Sequence, residues 1–331
     1  MRLTEYVFRG IILTVFFAVF AIVYFVVSFQ FGVKKVNQEW EEDIPSKIED
    51  FGSTKTLSIL PLVNWHTNDD SLKGEAGVSY LIKTDRSTIL FDVGFNQKSE
   101  FPSPLEHNMD ELGVKLDDID TIFLSHAHLD HRGGQKWVNE NTFSLGLEQV
   151  DLSNKKIYAP TLTRYPDAEV NLIPEETIIG EGIAGLGAIS RQLVIGRIEE
   201  NALVINVEGK GLVVIVGCGH QTVPKILDRM EKVFSTPLYG LVGDLHYPIP
   251  EGRLNILGIN LQRIFASGEG PHSPITYKTM KEEIELLKKK GVKVIALGGH
   301  DTSDKAIESF NLAFGENYQH IRVGAQIDIS K

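Results

Sequence analysis

The chain has 331 residues, a formal net charge of −11 and 42% hydrophobic residues, which is enough to bury one large core or two ordinary ones. The acidic balance argues against broad electrostatic binding of nucleic acid. The single cysteine, Cys218, excludes a framework of internal disulfides.

The first predicted element is a membrane-spanning helix. Residues 11–29 are almost wholly apolar, and no charge follows until Lys34 and Lys35. At about 1.5 Å per helical residue, this run nearly crosses a hydrocarbon core of about 30 Å. A cleaved signal peptide is the alternative, but no small-x-small cleavage site follows the run. We therefore predict a retained single-pass anchor.

The apolar run divides the chain into three predicted parts. They are an N-terminal membrane anchor over residues 1–36, an acidic linker over 37–55 and a catalytic domain over 56–331. Positive charges on the two sides of the apolar run nearly balance, which leaves the side of the membrane open. We prefer the arrangement with the N-terminus inside and the catalytic domain on the extracytoplasmic side.

Short apolar segments rich in β-branched residues then predict the start of a mixed sheet. Strands are expected over residues 56–60, 77–83 and 87–92, and the last two are joined by a connection of hairpin size. A helix over 104–112 leads towards a buried strand over 121–124.

A dense polar motif follows the strand over 121–124. Three histidines and an aspartate stand within six positions, as His126, His128, Asp130 and His131. On an extended chain, residues i and i+2 share a face, so His126 and His128 can hold one ion, whereas Asp130 and His131 can reach a second. Such ligands bind zinc, manganese or iron and activate water near neutral pH. A merely solvated polar loop is the alternative, and this spacing disfavours it.

The H-x-H-x-D-H-x-G-G motif at a strand end resembles the signature of the metallo-β-lactamase superfamily of hydrolases. The resemblance implies an α/β fold, an αββα sandwich, with a dinuclear metal site whose other ligands come from distant loops. In that superfamily an aspartate at the position of Asp92 usually stabilises the loop that bears the metal histidines.

Two later strands lead into single histidines that the resemblance identifies as ligands. The strand over 212–216 precedes His220, which would complete the first metal site, and the strand over 292–297 precedes His300, which would close the second. Cys218 stands two residues before His220, a spacing that does not match the thiolate ligands of some lactamases. We interpret it as a small buried residue.

Between these strands the chain offers two candidate ligands, Asp244 and His246. Many superfamily members have a metal-bridging aspartate here, which corresponds to Asp244. A narrower branch, resembling dihydropterin-type (ribofuranosyl)aminobenzene 5′-phosphate synthases, has a histidine that aligns with His246, and it also resembles this chain around 108–113 and 314–324. A carboxylate can serve two cations whereas a neutral imidazole offers one lone pair. Both alternatives stay open.

A long segment over residues 248–274 has no clear periodicity and contains Arg253, Arg263 and His272. A loop of this length in a compact domain is usually functional, for instance as a lid over the site.

Together these features predict a metal-dependent hydrolase that uses a hydroxide activated by two divalent ions, zinc first, with manganese or iron as alternatives. The expected partners are a small phosphoester or related ester substrate and, through the N-terminal helix, a membrane. Asp130 would also orient the hydroxide as a catalytic residue. A lactonase, thioesterase or β-lactam hydrolase is the alternative within hydrolases. An oxidoreductase of the flavodiiron kind usually has Glu in place of His128, and a catalytically silent binding protein usually loses ligands that this chain keeps.

Overall fold

The computed structural model describes residues 3–266 and 273–329, which form two facing β-sheets with helices on both outer sides. The helices are α1 (Leu3–Glu42), α2 (Pro104–Glu111), α3 (Gln135–Asn139), α4 (Val223–Val233), α5 (Leu261–Ala266), α6 (Tyr277–Lys289) and α7 (Asp304–Phe314), with 3₁₀ turns at Leu116–Asp118 and Gly315–Asn317. The strands are β1 (Leu57–Val63), β2 (Ser79–Thr84), β3 (Thr88–Phe91), β4 (Thr121–Phe123), β5 (Lys156–Ala159), β6 (Val170–Leu172), β7 (Glu176–Gly180), β8 (Ile183–Leu186), β9 (Ile189–Leu193), β10 (Gly196–Glu200), β11 (Leu203–Val207), β12 (Gly211–Val216), β13 (Leu238–Gly243), β14 (Asn255–Ile256), β15 (Ile259–Asn260), β16 (Val294–Leu297), β17 (Tyr318–His320) and β18 (Ile327–Asp328).

Each of the two large sheets has seven strands and mixed pairing. The first sheet has the order β18-β1-β2-β3-β4-β5-β6, and the second has the order β17-β16-β13-β12-β11-β8-β7. Strands β3 to β6 run parallel in the first sheet, as do β12, β13, β16 and β17 in the second. Because parallel strands end at the same edge, the loops after β12, β13 and β16 are neighbours.

Strand β12 shows why the sheets pack as they do. Its side chains alternate, so that Val214 and Val216 pack with α4, α6 and α7, whereas Val213 and Ile215 pack against the first sheet. Strand β12 is buried on both faces, so the side chains on each face must be apolar. This explains its unbroken run of aliphatic residues.

On the outer face of the first sheet, Leu105 and Met109 of α2 pack against Leu90 and Ile122. The core therefore has three apolar layers, and the predicted αββα sandwich is confirmed.

Helix α1 extends beyond the predicted anchor. Residues 8–42 are long and apolar enough to cross a membrane, and the most apolar window is not buried in the protein. The last turns, however, lie against the domain, with Phe29 and Val36 buried. Glu39 pairs with Arg197 at 2.8 Å. One continuous helix therefore joins the apolar run to the folded domain.

The stretch predicted as a linker is packed against the domain after α1 ends. Ile48 forms a β-bridge with Phe234, and the Phe51 ring lies 5.3 Å from the Phe234 ring. Thr54 is fully buried beside β11. The acidic composition hides these contacts because a few apolar side chains among many carboxylates are enough to fix the backbone. The division into anchor, linker and domain stays a prediction.

The segment over 248–274, predicted as a lid, is partly regular. Strands β14 and β15 form a short hairpin and α5 follows directly. Arg253 donates to two backbone carbonyls in the segment after β16, and Gln262 donates to Asp301 in the same segment. His272 lies outside the described residues.

Candidate metal centre

All the ligands proposed from the sequence lie near one edge of the sandwich. His126, His128, Asp130 and His131 follow β4, His220 follows β12, Asp244 and His246 follow β13, and His300 follows β16. Each of these side chains is buried or half-buried. The fold thus collects four separate segments at one place.

Seven of these eight residues place ligand atoms within 4.8 Å of one another in overlapping groups. The groups are His126, His128, Cys218 and His220; His131, Cys218 and His300; His126, Asp130 and His131; His220, His246 and Asp301; and Asp130, His300 and Asp301. Asp244 is the one predicted ligand that belongs to none of these groups. Cys218 and Asp301 belong to them although the sequence did not predict them as ligands.

Several ligand atoms at this site are buried without a hydrogen-bond partner in the protein. They are His126 Nε2, Asp130 Oδ1, His220 Nδ1, His246 Nε2 and His300 Nδ1. Buried polar atoms are normally satisfied, so a concentration of orphaned nitrogen and oxygen lone pairs needs an explanation. Divalent metal ions supply one, since zinc and its neighbours bind imidazole nitrogen and carboxylate oxygen. The residues present therefore fit such ions.

The protonation of three histidines suits the same role. Burial lowers the pKa of His126 and of His220 well below the ordinary value, and it lowers the pKa of His128 to about 4. These imidazoles are therefore neutral at physiological pH, the form in which histidine binds metals.

Asp92 orients two of the histidines, as the resemblance implied. Its carboxylate accepts hydrogen bonds from the backbone N–H of Ser125 at 2.7 Å, the Ser125 hydroxyl at 2.6 Å and His131 Nδ1 at 2.7 Å. Because the Ser125 proton is given to Asp92, the serine oxygen is left to accept from His126 Nδ1, 2.8 Å away. Both rings then keep the Nε2 lone pair for a metal.

Replacing Asp92 with Asn is expected to weaken metal binding by about 10- to 100-fold, because an amide cannot accept all three hydrogen bonds and the ring orientations are lost. Competition with a chelating dye on the purified protein measures this. Asp120→Asn is the matched control, since Asp120 also accepts a backbone N–H, from Thr88, but on an exposed turn. Equal metal affinity in Asp92→Asn and in the wild-type protein would contradict the assigned role.

Glu200 is a supporting residue that sequence reasoning missed. Its buried carboxylate accepts the backbone N–H groups of Cys218, Gly219 and His220 at 2.9, 3.0 and 2.7 Å. Burial raises its pKa to about 6, against the opposing effect of those hydrogen bonds. Glu200 ends β10 and fixes the loop that presents His220, but an acidic residue at a strand end gives no sequence signal of such a role.

Asp244 and His246 have different surroundings. The Asp244 carboxylate accepts from Asn64 Nδ2 at 3.0 Å, from the Tyr80 hydroxyl at 3.2 Å and from the backbone N–H of His300 at 3.1 Å. It therefore supports the His300 loop. His246 instead lies with its ring 4.6 Å from the His220 ring.

Two further residues lie among the ligand atoms. The Cys218 sulfur is buried, as expected, but it is 2.9 Å from His131 Nε2 and 3.4 Å from His300 Nε2. Asp301 Oδ2 lies 3.1 Å from His246 Nδ1, from His300 Nε2 and from the Cys218 sulfur. The only signal for Asp301 was its place directly after His300, and an aspartate shortly before a helix equally predicts a cap.

Comparison with known proteins agrees with this architecture. The sequence matches the model of the Metallo-beta-lactamase superfamily over residues 72–300. A curated 7,8-dihydropterin-6-methyl-4-(beta-D-ribofuranosyl)-aminobenzene-5′-phosphate synthase of Methanocaldococcus jannaschii is 23% identical over 318 residues, which cover 82% of this chain and 97% of the relative. A probable RNase of the same organism is 32% identical over 95 residues, 28% of this chain and 21% of that protein.

A solved structure shows the same fold. The crystal structure of a metal-dependent hydrolase of the β-lactamase superfamily aligns with a TM-score of 0.57 and 18% identity, covering 83% of this chain and 100% of that one. The family match spans well over half of the 331 residues and contains the histidine motif, His220 and, at its last position, His300. This chain belongs to the metallo-β-lactamase superfamily.

Proposed function

We propose that this protein is a metal-dependent hydrolase that holds two divalent ions, zinc first, and acts on a phosphoester or a related ester. The observation that carries the proposal is the group of buried imidazole and carboxylate atoms without protein partners at the edge of the sandwich. Membership of the superfamily and the fold shared with a metal-dependent hydrolase support it.

The proposed ligands fall into two sets. His126, His128 and His220 hold one ion, Asp130, His131 and His300 hold the other, and His246 and Asp301 complete the pair. Asp301 takes the bridging role that the sequence offered to Asp244, because Asp301 Oδ2 lies within 3.1 Å of two histidine nitrogens whereas Asp244 is engaged by three other donors.

When bound, the two ions supply an acidified water and stabilise negative charge on the substrate oxygen. The chain contributes positioning and proton handling. Asp130 Oδ2 lies 3.3 Å from His300 Nε2. Burial acts to raise the pKa of Asp130, but the hydrogen bond with His300 contributes to a net lowering of that pKa. Asp130 is thus ionised, and its unpartnered Oδ1 is available to orient a water proton.

A phosphoester is the favoured substrate for a chemical reason and by comparison. A dinuclear site suits in-line displacement at phosphorus, because both the attacking and the leaving oxygen are stabilised. The methanogen relative is itself named as the synthase of a 5′-phosphate compound.

Helix α1 is proposed to be a retained anchor with the catalytic domain on the extracytoplasmic side. Its apolar run is solvent-exposed except near Phe29, which suits lipid, and it continues without interruption into the turns that pack on the domain. If the apolar run were removed as a signal peptide, the mature chain would begin inside or beside the contacts that Phe29, Val36 and Glu39 make with the domain.

Elemental analysis of the full chain in detergent tests the proposal first. We expect two zinc or manganese ions per chain, and hydrolysis of bis(p-nitrophenyl) phosphate that a chelator abolishes and the metal restores. Phosphomonoesters, thioesters and lactones assayed in parallel identify the ester class. Two irons with oxygen-dependent redox activity would point to an oxidoreductase, and no metal after supplementation to a binding protein.

A further inference from the structure

Helix α1 meets the domain at the end of its apolar run. Phe29, inside that run, is only 5% exposed, and α1 packs against β9. At Gly32 even one added carbon would collide with the Gln192 side chain of β9. Lys34 and Lys35 follow at once and are exposed. The three-residue step from Gly32 to Lys35 spans about 4.5 Å of helix. Strand β9 therefore contacts α1 at the level where the hydrocarbon core of a membrane would meet the headgroups.

Strand β9 continues into a hairpin with an apolar tip. Strands β9 and β10 pair from Leu193 with Gly196 to Ile189 with Glu200, which leaves Val194 and Ile195 as the turn. Ile195 is 62% exposed. An exposed isoleucine at the tip of a hairpin fixed to α1 at headgroup level lies where lipid can cover it.

A second hairpin, β14–β15, also carries exposed apolar side chains at and beside its turn. Leu254, Ile256, Leu257 and Ile259 are 52%, 50%, 97% and 51% exposed. Single exposed aliphatic residues are ordinary, but four of them in six successive positions form a patch of the kind that contacts proteins or membranes.

The two hairpins flank the metal centre. One small cavity is lined by Arg191 and Leu193 of β9, by Ala266 of α5 directly after the second hairpin, and by the candidate ligands His220 and His246. The hairpin fixed to α1 therefore forms one wall of a cavity at the metal centre, and the segment that carries the other hairpin forms another.

We propose that the two hairpin tips, residues 194–195 and 254–259, rest on the membrane that α1 crosses, and that the substrate is a lipid phosphodiester taken from that surface. This inference rests on the proposed hydrolase function and on the anchor. We favour the bilayer over a separate protein as the occupant of these tips, because α1 already holds the tip at residues 194–195 at the bilayer surface. Hydrolysis would form a P–O bond to a water oxygen and break the P–O bond to the leaving alcohol, which takes up the proton.

The first test locates the tips in the full chain, reconstituted into equimolar phosphatidylcholine and phosphatidylglycerol vesicles. An environment-sensitive dye is attached at Ile195→Cys or Leu257→Cys, since Cys218 is buried. We expect blue-shifted emission and quenching by lipids that carry a shallow nitroxide. Leu312→Cys, an exposed apolar position (79%) on α7, is the control and should show neither. Emission from the tips equal to the control overturns the docking surface.

The second test separates the substrate from the function. The double variant Ile195→Asp, Leu257→Asp is expected to release headgroup product from those vesicles about tenfold more slowly, with unchanged hydrolysis of soluble bis(p-nitrophenyl) phosphate. Equal rates on vesicles overturn the docking role of the tips. A wild-type protein that cleaves the soluble diester but no vesicle lipid overturns the lipid assignment and leaves the hydrolase standing. A fully metallated protein that cleaves neither overturns the proposed function itself.

Discussion

Replacing His128 with alanine is expected to lower the proposed metal-dependent hydrolysis by about a thousandfold or more, since the proposed first ion would lose one of its three imidazole ligands. His220 Nε2 lies 3.2 Å from His128 Nδ1, so the two rings present nitrogen atoms to the same small volume. Bound metal, measured by elemental analysis after dialysis, should fall with the activity. Saturating metal in the assay should recover little of it, because the remaining ligands no longer enclose the ion.

The fold should survive this change. His128 is half-buried on the loop after β4 and belongs to none of the three apolar layers, so circular dichroism and the unfolding midpoint should stay close to those of the wild-type protein. His107→Ala is the matched control, because His107 lies on α2, away from the candidate ligand atoms, and its Nε2 is 2.8 Å from the Ser71 carbonyl oxygen. Wild-type turnover in a folded His128→Ala protein would remove His128 from the site.

Much of the architecture follows from patterns that are local in sequence. Strand β12 is recognisable because it is buried on both faces and therefore uniformly aliphatic, and the loop after β4 is recognisable because four ligand-type residues stand within six positions. His220 and His300 follow such strands directly. Parallel strands end at one edge, so the order of strands is enough to bring these histidines together.

What the sequence does not reveal depends on distances between segments. Cys218 precedes a histidine at a spacing that predicts a core residue, yet its sulfur lies among the ligand atoms because β12 ends beside the loop after β4. Asp244 has the position of a bridging carboxylate in the sequence, but Asn64, directly after β1, and Tyr80 of β2 both donate hydrogen bonds to its Oδ2. No pattern within one segment encodes either outcome.

The second large effect, on bound metal and on turnover, distinguishes the two candidate bridging carboxylates, Asp301 and Asp244. Asp301→Ala is expected to reduce the bound metal from two ions to one and turnover by about 100- to 1000-fold, since Asp301 Oδ2 lies within 3.1 Å of nitrogens on His246 and His300. Asp244→Asn should keep both ions, because its carboxylate holds the His300 backbone rather than facing the ligand atoms.

Metal stoichiometry and affinity measured on the purified full chains distinguish the two carboxylates without relying on turnover. Asp304→Asn serves as the control, because Asp304 lies three residues beyond Asp301 with its side chain 70% exposed and pairs with Arg253. Two ions in Asp301→Ala and one in Asp244→Asn would return the bridging role to Asp244.

Asp301 also contacts the segment over 248–274 that was predicted as a lid, because Gln262 of α5 donates a hydrogen bond to the other Asp301 oxygen. A metal bound to Asp301 would also hold this segment in place through that hydrogen bond. Stripping the metal with a chelator should then raise protease cleavage in the segment in the wild-type protein but not in Asp301→Ala.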